Sequence, residues 1–190
     1  MAKQYYLGID QGTTGTTALL LDEEFAVCGR GYQELRQYYP RPGWVEHDPI
    51  EIWESVLTAV KQAMTQAGIQ AKEIHCVGLD HQGETCLIWD PRSGKPVYPA
   101  IVWQDRRTSD QASLLTQLHG EQIRARTGLV ADAYFSATKL QWLLNHIPGL
   151  REQAIRGEVL AGTLDSWLLW NMTAGRSHCT DPSTASRTML

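Results

Sequence analysis

The sequence predicts an α/β domain with a mixed sheet flanked by helices, and three observations carry that prediction. Short strand-like runs parted by tight turns fill the first 35 residues, a capped amphipathic helix follows, and a short apolar run with the composition of a strand comes next. The runs over residues 5–10, 16–21 and 26–34, separated by QGTTG and DEE, read as an antiparallel meander. Residues 37–47 carry Pro40, Pro42 and Gly43 without periodicity and form a loop, which Tyr38, Tyr39 and Trp44 should pack down. Asp48 can cap a helix, with Pro49 at the first helical position and Glu51 at the third, as in a capping box. Ile50, Trp53, Leu57, Val60, Met64 and Ala67 recur at helical spacing and mark the face expected to bury on the sheet, and Gly68 ends the run.

The apolar run over 74–79 is expected to be a central strand covered on both sides, delivering Asp80, His81, Gln82, Gly83 and Glu84 at its end. Strands over 85–89 and 99–104 flank the turn sequence DPRSG. Beyond Arg106 the pattern is mainly helical, over 109–118, 121–127, 137–146 and 163–173. No internal repeat or low-complexity tract interrupts this order, and the chain reads as one domain. Its last residues, ASRTML, end on an apolar pair with no stop signal, so the chain is expected to continue into a longer protein.

Composition excludes several function classes. With 190 residues the chain can bury a sizeable core. Seventeen basic against 21 acidic residues give a net charge of -4, which argues against a nucleic-acid partner. Cys28, Cys76, Cys86 and Cys179 are scattered, with no CxxC or metal-ligand spacing, and are expected to be reduced, buried thiols. The start, MAKQYYLGID, lacks the apolar core of a signal peptide, and no stretch reaches the roughly 18 apolar residues of a membrane span, so a cytoplasmic address and no membrane partner are expected.

The sharpest local signal is Gly8-Ile9-Asp10-Gln11-Gly12-Thr13-Thr14-Gly15, between two expected strands. Glycine permits a sharp turn and close approach of a ligand, and successive amides with the Thr13 and Thr14 hydroxyls can line an anion site suited to phosphate. Asp10 could hold a hydrated magnesium ion bridging phosphate oxygens. A plain glycine-containing hairpin explains the same residues equally well. The loop is neither a Walker A motif nor a Rossmann fingerprint.

Taken together, GIDQGTT, PGWVEHDPIEIW, QGETCLIWD, AIVWQDRRT, TGLVADAYFSATKLQWLL, GTLDSWLLW and TDPSTASRTML resemble the FGGY family of carbohydrate kinases, and most nearly its glycerol-phosphorylating branch. The resemblance spans nearly the whole chain. It implies a ribonuclease H-like, actin-like domain, the first of two, with ATP and substrate bound in the cleft between them. It further implies that residues 1–190 form the substrate-binding side, that ATP and magnesium are the cofactors, and that the full-length protein is a homo-oligomer. Asp10 then resembles the family's magnesium-linked carboxylate, acting through water, and Gly12, Thr13 and Thr14 its phosphate contacts. Glu84, Trp103 and Tyr134 resemble the residues that grip glycerol, with Gln82 flanking them. A carboxylate and a phenol suit hydroxyls, and an indole face suits C–H groups. Read singly, each of these side chains is better explained as a core aromatic or a solvated charge.

Two departures bear on the substrate. Where that branch reads Asn-Gln-Arg-Glu-Thr this chain has His81-Gln82-Gly83-Glu84-Thr85, and where it reads Ser-Ser-Arg this chain has Gly15-Thr16-Thr17. Arginine is therefore missing at positions 83 and 17. A charged hydrogen bond of that kind is worth about 1.5–3 kcal/mol, so weak glycerol phosphorylation, or a larger polyol or sugar such as a pentulose, is expected. A polyol-binding homologue without catalysis is the alternative from another class. The family's catalytic base, an aspartate, lies beyond Leu190, so the isolated chain is expected to be inactive. Asp105 is expected to pair with Arg106 or Arg107, Asp165 to sit in the opening turn of a helix, and His47 and His81 to be structural.

Overall fold

The structure, a computed structural model, describes residues 3–190. In chain order the elements are β1 (Tyr5–Gln11), β2 (Gly15–Leu21), β3 (Val27–Glu34), β4 (Glu46–His47), α1 (Pro49–Ala67), a 3₁₀ turn (Ala71–Glu73), β5 (Ile74–His81), β6 (Cys86–Asp90), β7 (Lys95–Pro96) and β8 (Ala100–Ile101). Then follow α2 (Ser109–Thr127), α3 (Ser136–His146), α4 (Leu150–Ile155), β9 (Leu160–Thr163), α5 (Leu164–Met172) and α6 (Pro182–Ser186). They form two compact units, one running to Gln37 and resuming over Asp48–Gln82, the other comprising Tyr38–His47 and Gly83–Leu190. No helix of the described residues is long and apolar enough to cross a membrane.

In the first unit the meander forms as expected, and β5 adds to it in parallel, giving the order β3-β2-β1-β5. Parallel addition requires a crossover, and α1 supplies it. The Asp48 carboxylate accepts from the Ile50 amide at 2.8 Å, and Gly68, at φ 68°, closes the helix in the left-handed region. The buried face differs from the one the large apolar residues suggest. Ile52, Ser55, Val56, Ala59 and Ala63 are buried, whereas Ile50 and Leu57 are 43% and 50% exposed. The reason lies across the interface, in β3. A β-carbon on Gly29 would stand 2.2 Å from the Ala63 carbonyl oxygen, and one on Gly31 1.9 Å from that of Ala59. Helix and strand backbones meet at two glycines, so only a stripe of small residues fits between them. The strand expected to be covered on both sides is instead an edge strand, with residues 75–78 of β5 exposed. An apolar run records a lack of charge, and the pairing partner decides what lies beside it.

In the second unit β6 is the hub. It pairs antiparallel with β7, β8 and β9, and β8 pairs with β4. Cys86, Ile88 and Ile101 of this sheet pack with Leu140, Leu143 and Leu150 to make the core. Trp89 and Trp167 are wholly buried edge to face, 5.4 Å between centroids. The two helical runs expected over 109–118 and 121–127 are one helix, because Gly120 costs α2 only about 1 kcal/mol and does not break it. The loop before α1 is pinned by Trp44, which meets Trp142 edge on and lies 3.8 Å beneath the Arg107 guanidinium. Tyr39 does not share in this and is 66% exposed.

Candidate functional site

The candidate residues fall into two clusters, one in each unit. The first surrounds the turn from β1 to β2. The Gly12 amide donates to the Gly15 carbonyl at 2.9 Å, closing the turn, and Leu35 ties the Thr14 carbonyl to the chain after β3, also at 2.9 Å. Gly15 has to be glycine: a β-carbon there would lie 2.5 Å from the Tyr32 hydroxyl and 2.8 Å from the Gln33 carbonyl. Thr13 is half-buried and Thr14 exposed, so a ligand can reach the turn.

Gln82 belongs to this cluster. Its side-chain amide donates to Gln11 Oε1 at 3.1 Å and reaches the Gly12 carbonyl at 3.5 Å, while Gln11 Nε2 donates to the same carbonyl at 2.9 Å. Both glutamines are buried, so they set the pose of the turn from behind. Asp10 lies opposite Thr17 on β2 and Asp80 on β5, and the three line a shallow hollow of about 450 Å³. The Asp10 carboxylate is exposed and has no hydrogen-bond or ion-pair partner among the described residues. An open, unpaired carboxylate of this kind fits a hydrated hard cation.

The second cluster brings Glu84, Trp103 and Tyr134 together. Glu84, just ahead of β6, is 5% exposed. Its carboxylate accepts from Arg187 Nε at 2.8 Å, and its carbonyl accepts from the Ser136 hydroxyl at 2.9 Å. The Trp103 and Tyr134 rings stand 5.5 Å apart, edge to face. Burial, and then the negative charge of the nearby Glu84 carboxylate, raise the Tyr134 phenol above its ordinary value. The Arg187 guanidinium lies 5.7 Å from the Tyr134 ring and 5.0 Å from Phe135. A carboxylate, a phenol, an indole and a guanidinium therefore meet at one place, the set of groups that grips hydroxyls and covers C–H surface.

Two members of this cluster escaped sequence reasoning. Arg187 lies 103 positions from Glu84, and nothing local marks it as a partner. Lys139 is wholly buried, and its ammonium donates to the carbonyls of Tyr134 at 2.9 Å and Trp103 at 3.3 Å. A lysine in the opening turn of an apolar helix was the available signal. At the neighbouring positions the structural readings hold. Asp105 is buried, pairs with Arg107 at 2.8 Å and accepts from the Val45 amide at 2.7 Å. Asp165 lies in the first turn of α5. His47 is buried, which lowers it to about 4.

A glycine–threonine turn on a mixed sheet and a carboxylate–aromatic cluster suit a carbohydrate kinase. Residues 5–190 match the model of the FGGY family of carbohydrate kinases, N-terminal domain, and the chain belongs to that family. Within it, the chain is 53% identical over 188 residues to glycerol kinase 2 of Thermotoga maritima, covering 98% of this chain and 38% of that protein. It is 52% identical to the glycerol kinase of Bordetella pertussis, covering all of this chain and 37% of that one. The crystal structure of Plasmodium falciparum glycerol kinase with ADP superposes with a TM-score of 0.91 at 32% identity, over 99% of this chain and 38% of that chain. The chain thus spans less than two fifths of the length of these relatives. The expected fold class, α/β of the ribonuclease H-like, actin-like kind, is borne out.

Proposed function

We propose that the chain is the substrate-gripping N-terminal domain of an ATP-dependent kinase that transfers the γ-phosphoryl group to a hydroxyl of glycerol or a closely related polyol. The observation that carries this reading is the meeting of Glu84, Trp103 and Tyr134. Glu84 can accept hydrogen bonds from substrate hydroxyls, Tyr134 can donate or accept a further one, and the Trp103 face can cover the carbon skeleton. Kinship with glycerol kinases points the same way. In this reading the turn holding Gly12, Thr13 and Thr14 contacts phosphate, Gln82 holds that turn in place, and Asp10 holds magnesium through water. When bound, magnesium neutralises charge on phosphate oxygens. The protein's own share is position and electrostatics, and the base that takes the hydroxyl proton belongs to chain beyond Leu190.

One observation favours a second reading. Gly83 stands beside the grip in sequence, and a β-carbon there would meet nothing within 4 Å, so this position leaves room for a substrate longer than glycerol. A coupled kinase assay on the full-length protein, with a panel of polyols and pentuloses at saturating ATP and magnesium, decides between them. Glycerol with the highest kcat/KM supports the first reading and a pentulose the second. Lack of turnover on every member would sink both.

A further inference from the structure

Lys139, the fourth residue of α3, is wholly buried. A charge in that position is costly twice over, because it leaves water and because a cation in the first turn opposes the helix dipole. A leucine or methionine would fill the same volume without either cost. What the lysine provides is two hydrogen bonds, and both go to main-chain carbonyls of the grip: Tyr134 at 2.9 Å and Trp103 at 3.3 Å. These are the residues whose rings stand 5.5 Å apart, and Tyr134 is the one whose phenol meets Glu84. The charges facing the ammonium are Asp105 and Glu84 on its favourable side and Arg106 on its unfavourable side, while the Cys86 thiol, pushed up to about 12 by burial, stays neutral. Burial is the larger influence and lowers the lysine to about 8.

We propose that Lys139 is a positioning residue for the polyol grip. Its ammonium gathers the main chains at Trp103 and Tyr134 to one point and so sets the separation of indole, phenol and Glu84 carboxylate to which a polyol must fit. This rests on reading Glu84, Trp103 and Tyr134 as the polyol site. Lys139 touches no substrate itself, and its effect falls on the polyol and not on ATP.

The test uses the full-length protein and compares Lys139→Met with Leu143→Ala, a wholly buried core position one turn further along the same helix. Lys139→Met is expected to raise the glycerol KM at least tenfold while the ATP KM stays within twofold. Leu143→Ala is expected to lower the thermal midpoint and leave both constants within twofold. Wild-type glycerol KM is expected to rise a few-fold between pH 7 and pH 9 as the ammonium loses its charge, a readout that needs no variant to fold. Equal shifts in the glycerol and ATP constants, or a glycerol KM flat across that pH range, overturn the positioning role while leaving the site reading intact. Wild-type protein that turns over no polyol overturns both.

Discussion

At the scale of single residues the proposed polyol grip concentrates its chemistry in one carboxylate. Glu84 is 5% exposed and accepts from Arg187, so a neutral amide in its place loses its charge, and with it the ion pair, but keeps its shape. Glu84→Gln is expected to lower kcat/KM for glycerol on the order of 10- to 100-fold, about 1.5–3 kcal/mol, read from steady-state kinetics. Stability should change by less than about 1 kcal/mol, because Arg187 is 42% exposed and stays solvated once unpaired.

His47 carries a pH dependence of a different kind. Its folded-state value of about 4 lies below the ordinary 6.5 because burial penalises the charged ring. Between those values the unfolded chain binds the proton and the folded chain does not, so stability rises with pH across the window and is lost as pH falls through it. The span corresponds to about 3 kcal/mol. Urea unfolding at pH 7 and pH 4 should show that loss, and His47→Gln should shrink it.

At the scale of elements, α1 shows what local pattern can and cannot convey. Its existence and both its ends were legible, because Asp48, Pro49 and Gly68 act on backbone groups within a turn of themselves. Its buried face was not, because that depends on Gly29 and Gly31 in another element. The larger apolar residues Leu57, Val60 and Met64 line a shallow surface hollow, while Ala59 and Ala63 face the sheet. Gly31→Ala should therefore destabilise by about 3 kcal/mol or prevent folding, since the new carbon would fall inside the Ala59 carbonyl. Leu57→Ser, at a position half exposed, should cost under about 1 kcal/mol. Denaturant titration of the two variants side by side checks the assignment of the face.

At the scale of the whole molecule, the chain spans less than two fifths of its glycerol kinase relatives. General-base assistance contributes about 10² to 10⁴-fold in enzymes, and in our reading that base lies beyond Leu190. The 190-residue chain alone is expected to show no turnover in a coupled assay. Activity at the level of the full-length protein would place the base within these residues and overturn that division of labour.

The sequence by itself determined the antiparallel meander, α1 and its ends, the strand-and-helix character of the rest, the family, and Glu84, Trp103, Tyr134 and the Gly12–Thr14 turn as the residues to inspect; it did not mark β9, α4 or α6. What it determined follows from turn chemistry, caps and spaced motifs, whose physics acts over a few positions. Only the tertiary structure decided that Gln82 holds the Gly12–Thr14 turn, that Arg187 pairs with Glu84, that Lys139 donates to the carbonyls of both aromatic residues, and which side of α1 is buried. Each of those involves a partner tens of residues away, Trp103 for Lys139 although Tyr134 is only five positions off, and for Glu84 and Arg187 the separation is 103 positions. A hydrogen bond or a close backbone contact is specific to a fraction of an ångström, and no local pattern carries that distance.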